Sequence, residues 1–219
     1  NSKKGEDRVV AILEAARHTL IENGYSGFTM RKIARKAGIS LGNITYYYKT
    51  KDAIFYDLLD AVAEAYEAAW DKIVLDEHLS DEEKLFHLLE HIILDLGERD
   101  TTHFFPELWA LANHDDYAAE NMNRLYSRGR KVIDELIARI NPGLTRENRN
   151  LLSVFMSASI EGHTPFIGFQ REYAESRNKL ASFVPHFFVG LARSVSNEEL
   201  GNGALEMLSG KNQLEKAAL

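Results

Sequence analysis

The stretch that decides the fold is TMRKIARKAGISLGNITYYYKTK, residues 29–51. Apolar residues at helical spacing predict a first short helix that begins after Thr29, whose hydroxyl suits an N-cap, and ends at Gly38. Ser40 is a second N-cap, and Ile44 starts the buried side of a second short helix. Two short helices joined by a tight turn that contains glycine form a helix-turn-helix.

The exposed side of the second short helix differs in chemistry from its surroundings. Its residues are small or form hydrogen bonds, and the flanking residues are cations: Arg31, Lys32, Arg35, Lys36, Lys49 and Lys51. This arrangement is expected of a helix that lies in the major groove of DNA while basic residues contact the phosphates on both sides. The pattern also fits an αα-corner in an ordinary helical domain, where the charged residues only form a solvent-exposed surface.

The segment from Val9 to Leu59 resembles the N-terminal DNA-binding domain of the TetR family of bacterial transcriptional repressors. It departs from the family pattern at two positions. The family usually has an aromatic residue where Thr45 stands and often a histidine where Tyr47 stands. The features that carry the resemblance are the Gly24-Tyr25 break, Thr29, Ile33-Ala34, Ala37-Gly38-Ile39-Ser40, Gly42, the three tyrosines at 46–48, and Lys49 to Lys51 before a long helix.

The resemblance implies an all-α protein that acts as a ligand-responsive transcriptional repressor. We expect a three-helix N-terminal helix-turn-helix DNA-binding domain over residues 1–52, a larger helical ligand-binding and dimerisation domain over 53–197, and a loose tail over 198–219. For base edges we expect Ser40, Leu41, Asn43 and Thr45, with Gly42 permitting close approach. For phosphates we expect Thr29, Arg31, Tyr46, Tyr47 and Lys51.

Charge is distributed unevenly along the chain. The 219 residues carry a formal net charge of −7, yet residues 1–52 hold ten Lys or Arg against five Asp or Glu, which leaves 16 basic and 28 acidic residues in the remainder. A molecule with a cationic end and an acidic remainder is oriented by the field of DNA. The chain has no cysteine, which agrees with a reducing cytosol, and no signal segment or apolar run of the roughly 18 residues that a membrane span needs. We therefore expect a cytoplasmic protein.

The middle helices are rich in large apolar side chains, which either fill a core or line a cavity. The resemblance favours a pocket for a small-molecule effector. Its candidate residues are Tyr66, Trp70, Phe86, His87, Phe104, Phe105, Trp109, Asn113, Met122, Tyr126 and His163.

The last two long helices have more apolar surface than one face needs. They fill their own core or pack against a second copy in a four-helix bundle, and a homodimer on a palindromic operator follows from the second interpretation. The candidate interface residues are Phe155, Ser159, Val184, Phe187, Phe188 and Leu191.

We expect a flexible arm over residues 1–7 at the N-terminus. Ser80 followed by Glu83 predicts a capping box, and apolar residues at helical spacing predict one helix from Thr145 to about Phe169. His87 and His91 lie one turn apart, but two ligands do not make a metal site, and no phosphate loop or nucleophile motif is present. We therefore expect no metal, no cofactor and no enzyme. Two rival interpretations remain: a chromosome-associated architectural or division-control protein of the same fold, and an enzyme with a vestigial DNA-binding domain.

Overall fold

The computed structural model describes residues 3–201, and these residues form helices and turns without a β-strand. The expected all-α fold is confirmed. A short 3-10 turn, Ala174–Ser176, lies between the ninth and tenth helices. The α-helices are α1 (Lys3–Asn23), α2 (Met30–Lys36), α3 (Leu41–Tyr47), α4 (Lys51–Val74), α5 (Asp81–Asp95), α6 (Arg99–Ala112), α7 (Asp116–Ile140), α8 (Arg146–Glu161), α9 (Thr164–Ile167), α10 (Arg177–Ser194) and α11 (Asn197–Leu200).

The helices divide into two compact units. The first contains α1 to α3, α4 as far as Asp71, α6, and α7 as far as Tyr126. The second contains the other described helices and the remainders of α4 and α7. The predicted DNA-binding domain over residues 1–52 thus lies within a larger first unit, and its boundary stays a prediction. Of the predicted loose tail, residues 202–219 lie outside the described residues.

The first unit is held together by an apolar core that α1 to α4 share. Ile33, Ile44 and Ile54 are fully buried, and Phe28 and Phe55 meet edge to face with their ring centroids 5.9 Å apart. These contacts fix the two short helices against the longer α1 and α4, because isolated helices of seven residues are unstable in water. Stability of the helix-turn-helix therefore comes from packing.

The second unit is built around α5, which packs against α10 and also against α8. Ser80 and Glu83 form the predicted capping box at the start of α5. Among the fully or almost fully buried side chains of this unit are Leu85, Leu89, Ile93, Leu136, Ile137, Leu152, Met156 and Phe188.

Two helix boundaries differ from the expectation. The helix α1 begins at Lys3, where the sequence predicted a flexible arm. The predicted helix from Thr145 to Phe169 is interrupted, because α8 ends at Glu161 with Gly162 as its C-cap and the short α9 starts again with Pro165 in its first turn. No helix among residues 3–201 is both long enough and apolar enough to cross a membrane.

Candidate nucleic-acid interface

The turn between α2 and α3 has the local chemistry that the sequence predicted. The Thr29 hydroxyl caps α2 by accepting the backbone N–H of Lys32 at 3.3 Å. Gly38 has a φ of +66°, a left-handed conformation that glycine adopts without a steric penalty. The N–H of Ile39 then donates to the carbonyl of Ala34 at 3.0 Å, which closes the turn.

The helix α3 is fixed at both ends and on its inner side. The Ser40 hydroxyl accepts the N–H of Asn43 at 3.1 Å, and Ile44 is fully buried. At the C-cap, Tyr48 is buried and its hydroxyl donates to Oδ2 of Asp57 on α4 at 2.9 Å. Burial first, and then this hydrogen bond, raise the pKa of Tyr48 above its ordinary range. The orientation of α3 is therefore set before any partner binds.

The outer side of α3 is open to solvent. Ser40, Gly42 and Asn43 are exposed, Leu41 is 41% exposed and Tyr46 is 77% exposed. A Cβ at Gly42 would meet the structure no closer than 3.9 Å, at the Ser40 hydroxyl, so the fold itself does not require glycine there. Because Gly42 has no side chain, the backbone of a partner can approach α3 more closely at this position.

The other two predicted contact residues on α3 are half-buried. The Thr45 hydroxyl donates to the Gly42 carbonyl at 3.0 Å, and the Tyr47 ring meets the Tyr46 ring edge to face at 5.1 Å. Thr29 is exposed at the start of α2. The structure thus brings all the predicted DNA-contacting residues of α3 to one solvent-facing helix, with Thr45 and Tyr47 at its margin.

The surrounding cations are engaged to different degrees. Arg31 and Arg35 are exposed, whereas the Lys36 ammonium lies 2.8 Å from the Glu22 carboxylate. Lys49 donates to the Thr45 carbonyl at 3.1 Å. The Lys51 ammonium lies 4.2 Å from the centre of the Tyr25 ring, so its predicted role at a phosphate competes with a cation–π contact.

Sequence reasoning missed the role of Tyr25, which connects three parts of the first unit. Its hydroxyl donates to Oδ1 of Asp52 at 2.8 Å, and its ring packs edge to face on Phe55 at 5.0 Å. Its backbone N–H donates to Oε2 of Glu107 on α6 at 2.9 Å. The Gly24-Tyr25 pair was visible as a helix stop, but the partner at Glu107 is 82 residues away and no spacing rule reveals it.

The predicted pocket residues fall into two groups. Met122 is half-buried and Asn113 is exposed, with its amide donating to the Trp109 carbonyl at 3.2 Å. The aromatic members of the first unit form one cluster of ring contacts: Tyr66, Trp70, Phe104, Phe105, Trp109 and Tyr126.

The remaining predicted pocket residues belong to the second unit. Phe86 is half-buried, and His87 is exposed with its Nδ1 3.0 Å from the Glu90 carboxylate. Nδ1 of His163 lies 2.6 Å from the Ser159 carbonyl. In the part of the chain that the structure describes, no three His, Asp or Glu side chains come together as a metal site would require.

The predicted dimer residues divide between the core and the surface. Val184 and Phe188 are buried within the second unit, and Ser159 and Leu191 are half-buried. The prediction therefore needs correction at Val184 and Phe188, because both point toward the core of their own chain. Phe155 and Phe187 are exposed, and they belong to a larger apolar surface on α8 and α10 that is formed by Leu151, Val154, Phe155, Phe183 and Phe187.

Comparison with known proteins points to one family of regulators. A sequence profile of bacterial regulatory proteins of the tetR family matches residues 12–58. An uncharacterised HTH-type transcriptional regulator from the dhlA 5′ region of Xanthobacter autotrophicus is 27% identical over 63% of this chain and 69% of its own length. The transcriptional regulator QacR of Staphylococcus aureus is 33% identical over 28% of this chain, and the match spans less than a third of QacR, 32%.

A solved structure extends the likeness beyond the helix-turn-helix. The crystal structure of a TetR transcription regulator from Haloarcula marismortui matches 84% of this chain and 97% of its own, with a TM-score of 0.67 and 18% identity. At this identity the likeness concerns the fold, which the two chains share along most of their length.

Proposed function

We propose that this chain is a member of the TetR family of bacterial regulatory proteins and that it acts as a dimeric transcriptional repressor that a small molecule releases from DNA. The observation that carries this proposal is the outer side of α3, which is capped, anchored by Ile44 and exposed from Ser40 to Asn43. The protein would act by binding and not by catalysis, and in the bacterial cytoplasm, where its operator is found.

The proposed contacts follow from the chemistry of each exposed residue. Asn43 carries an amide that can pair with the edge of adenine, and Leu41 can contact a thymine methyl group. Ser40 and Thr45 add hydroxyl groups at the same surface. Thr29, Arg31, Tyr46, Tyr47 and Lys51 would hold phosphates around them, which positions the helix without reading the sequence.

Dimerisation is proposed from the exposed apolar surface of α8 and α10. Phe155, Phe183 and Phe187 are each about half exposed, at 49%, 64% and 51%. Aromatic side chains that lie together on two neighbouring helices favour burial against a partner, and a second copy presents the same surface. Two recognition helices about 34 Å apart would then contact successive major grooves of a palindromic operator.

The release mechanism that we propose depends on α6. This helix contributes residues to the aromatic cluster and also accepts a hydrogen bond from the turn between α1 and α2. Phe105 and Trp109 of α6 contact the cluster, and Glu107 between them accepts the Tyr25 N–H. A ligand that shifts α6 therefore acts on the α1–α2 turn. Allosteric couplings are usually about 1–3 kcal/mol, and a nearly complete switch needs about 5 kcal/mol.

The test is a selection of binding sites from random double-stranded DNA, followed by affinity measurements at several salt concentrations. Asn43→Ala should relax the choice of one base pair by about 1–3 kcal/mol, while Arg31→Ala should weaken binding to all sequences and reduce the salt slope by about one. Failure to select any sequence, or an equal effect of both variants on every sequence, would contradict the proposal. Occupancy of many unrelated genomic sites would favour an architectural role instead.

A further inference from the structure

Trp70, close to the C-terminal end of α4, contains a buried hydrogen-bond donor that no residue in the described part of the chain satisfies. The residue is 8% exposed, and its indole Nε1 has no hydrogen-bond partner among residues 3–201. Among the side chains of the first unit that the structure describes, this is the one buried polar atom in that condition. Because a buried N–H without an acceptor loses its hydration and gains nothing in return, such a group calls for a partner.

The surroundings of Trp70 are aromatic. Its ring lies 5.9 Å from that of Tyr66, which in turn lies 5.7 Å from Phe105. Phe105 continues the cluster to Trp109 and Tyr126, each with ring centroids 6.5 Å away. The five side chains contain no acidic or basic group that would pair with an ion, and their rings offer flat apolar faces.

The second tryptophan of the chain provides a direct contrast. Nε1 of Trp109 donates to the Tyr126 hydroxyl at 2.8 Å. Both indoles therefore belong to one aromatic cluster, but one N–H is satisfied within the protein and the other is not. Of the two indole N–H groups in the cluster, that of Trp70 is therefore the one still without an acceptor among the described residues.

We propose that the small molecule recognised at this cluster is neutral, planar and largely apolar, and that it carries a carbonyl or ether oxygen that accepts the hydrogen bond of Trp70 Nε1. The inference rests on the proposed function for the regulatory role of that molecule. A cation could stack on the ring faces, but it would leave the indole N–H without an acceptor. An ordered water molecule could also satisfy the N–H, in which case the oxygen of the ligand brings no advantage.

The experiment uses the full chain and three probes of similar size: 2-acetylnaphthalene, 2-ethylnaphthalene and N-methylquinolinium. Calorimetric titration should show that the ketone binds about five- to tenfold more tightly than the ethyl compound, as one neutral hydrogen bond predicts, and more tightly than the cation. Trp70→Phe should abolish the preference for the ketone while keeping an aromatic ring in place. Trp109→Phe is the matched control, and it should weaken both naphthalenes alike and so preserve their ratio.

The inference would be overturned if the two naphthalenes bind with equal affinity or not at all, or if the cation binds most tightly. It would also be overturned if a Trp70→Phe variant that is folded, as judged by circular dichroism, keeps the preference for the ketone. Parallel DNA-binding measurements keep this inference separate from the proposed function. A protein that binds its selected DNA yet shows no preference for the ketone contradicts only the inference. A protein that prefers the ketone through Trp70 yet binds no DNA contradicts only the repressor function.

Discussion

Gly24 and Gly38 share a left-handed backbone but differ in what surrounds them. Their φ values are +63° and +66°. A Cβ at Gly24 would lie 3.1 Å from Oε1 of Glu107, whereas a Cβ at Gly38 would meet nothing within 4 Å. We expect Gly38→Ala to lower the free energy of unfolding by about 1–2 kcal/mol through backbone strain alone, and Gly24→Ala to lower it further through the added contact. Urea unfolding of the two variants measures the difference.

A double-mutant cycle identifies the source of the extra cost at Gly24. In a Glu107→Ala background the carboxylate that crowds the new Cβ is absent, so Gly24→Ala should cost only as much as Gly38→Ala. The coupling between the two positions would then measure how closely α6 approaches the α1–α2 turn. An equal cost for the two glycines in the wild-type background would show that Glu107 does not constrain the turn.

At the scale of elements, the junction between α3 and α4 depends on the protonation of Tyr48. Burial and the hydrogen bond to Asp57 raise the pKa of Tyr48 above its ordinary value of 10.0. In the unfolded chain tyrosine ionises near pH 10, while the folded chain keeps the proton, so the stabilisation is complete below about pH 10 and is lost as the pH rises further. We expect the free energy of unfolding to fall above that pH.

Tyr48→Phe tests this pH dependence. The variant lacks the ionisable hydroxyl and should lose about 1 kcal/mol at neutral pH while showing a shallower fall at alkaline pH. Part of the slope should remain, because the pKa of Tyr25 is raised as well, by burial and by Asp52. Denaturant titrations between pH 7 and 11 measure both quantities. Identical alkaline slopes in the wild type and the variant would contradict the role of Tyr48.

The ends of the helices show how far local chemistry predicts structure. The caps at Thr29 and Ser40 and the capping box at Ser80 were readable because each depends on residues within three positions. The start of α6 at Arg99 has no such local signal, because its N-cap residue Glu98 makes no side-chain hydrogen bond to the helix. Ser196 and Glu199 form a second capping box, at α11, a helix that continues into the first residues of the segment expected to be loose.

The candidate sites were less predictable wherever the direction of a side chain decides its role. Phe187 and Phe188 are adjacent and equally apolar, yet the first is exposed and the second is buried in the second unit, which the sequence could not distinguish. Lys51 packs over the Tyr25 ring, a contact that the sequence did not reveal, and its role at a phosphate stays a prediction. Contacts between residues distant in sequence determine both outcomes.

At the scale of the whole molecule, the uneven charge favours one orientation on DNA. Residues 1–52 have five more basic than acidic residues, whereas the whole chain has a net charge of −7. Attraction of one region and repulsion of the other steer the helix-turn-helix toward the duplex, and added salt weakens both effects. Specific binding should therefore depend strongly on salt even though the protein is acidic overall.

The last prediction concerns dimerisation, which decides whether one or two recognition helices contact the operator. Phe187 is 51% exposed in the single chain, so Phe187→Glu should leave the fold intact while placing an unpaired charge in the proposed interface. We expect the variant to sediment as a monomer and its operator affinity to fall by about 100-fold or more, since the second half-site no longer contributes. Leu75→Glu, at a residue that is 72% exposed outside that surface, is the matched control and should remain dimeric with full affinity. A Phe187→Glu protein that stays dimeric at micromolar concentration would exclude this surface, and a monomeric variant with undiminished affinity would mean that one recognition helix suffices.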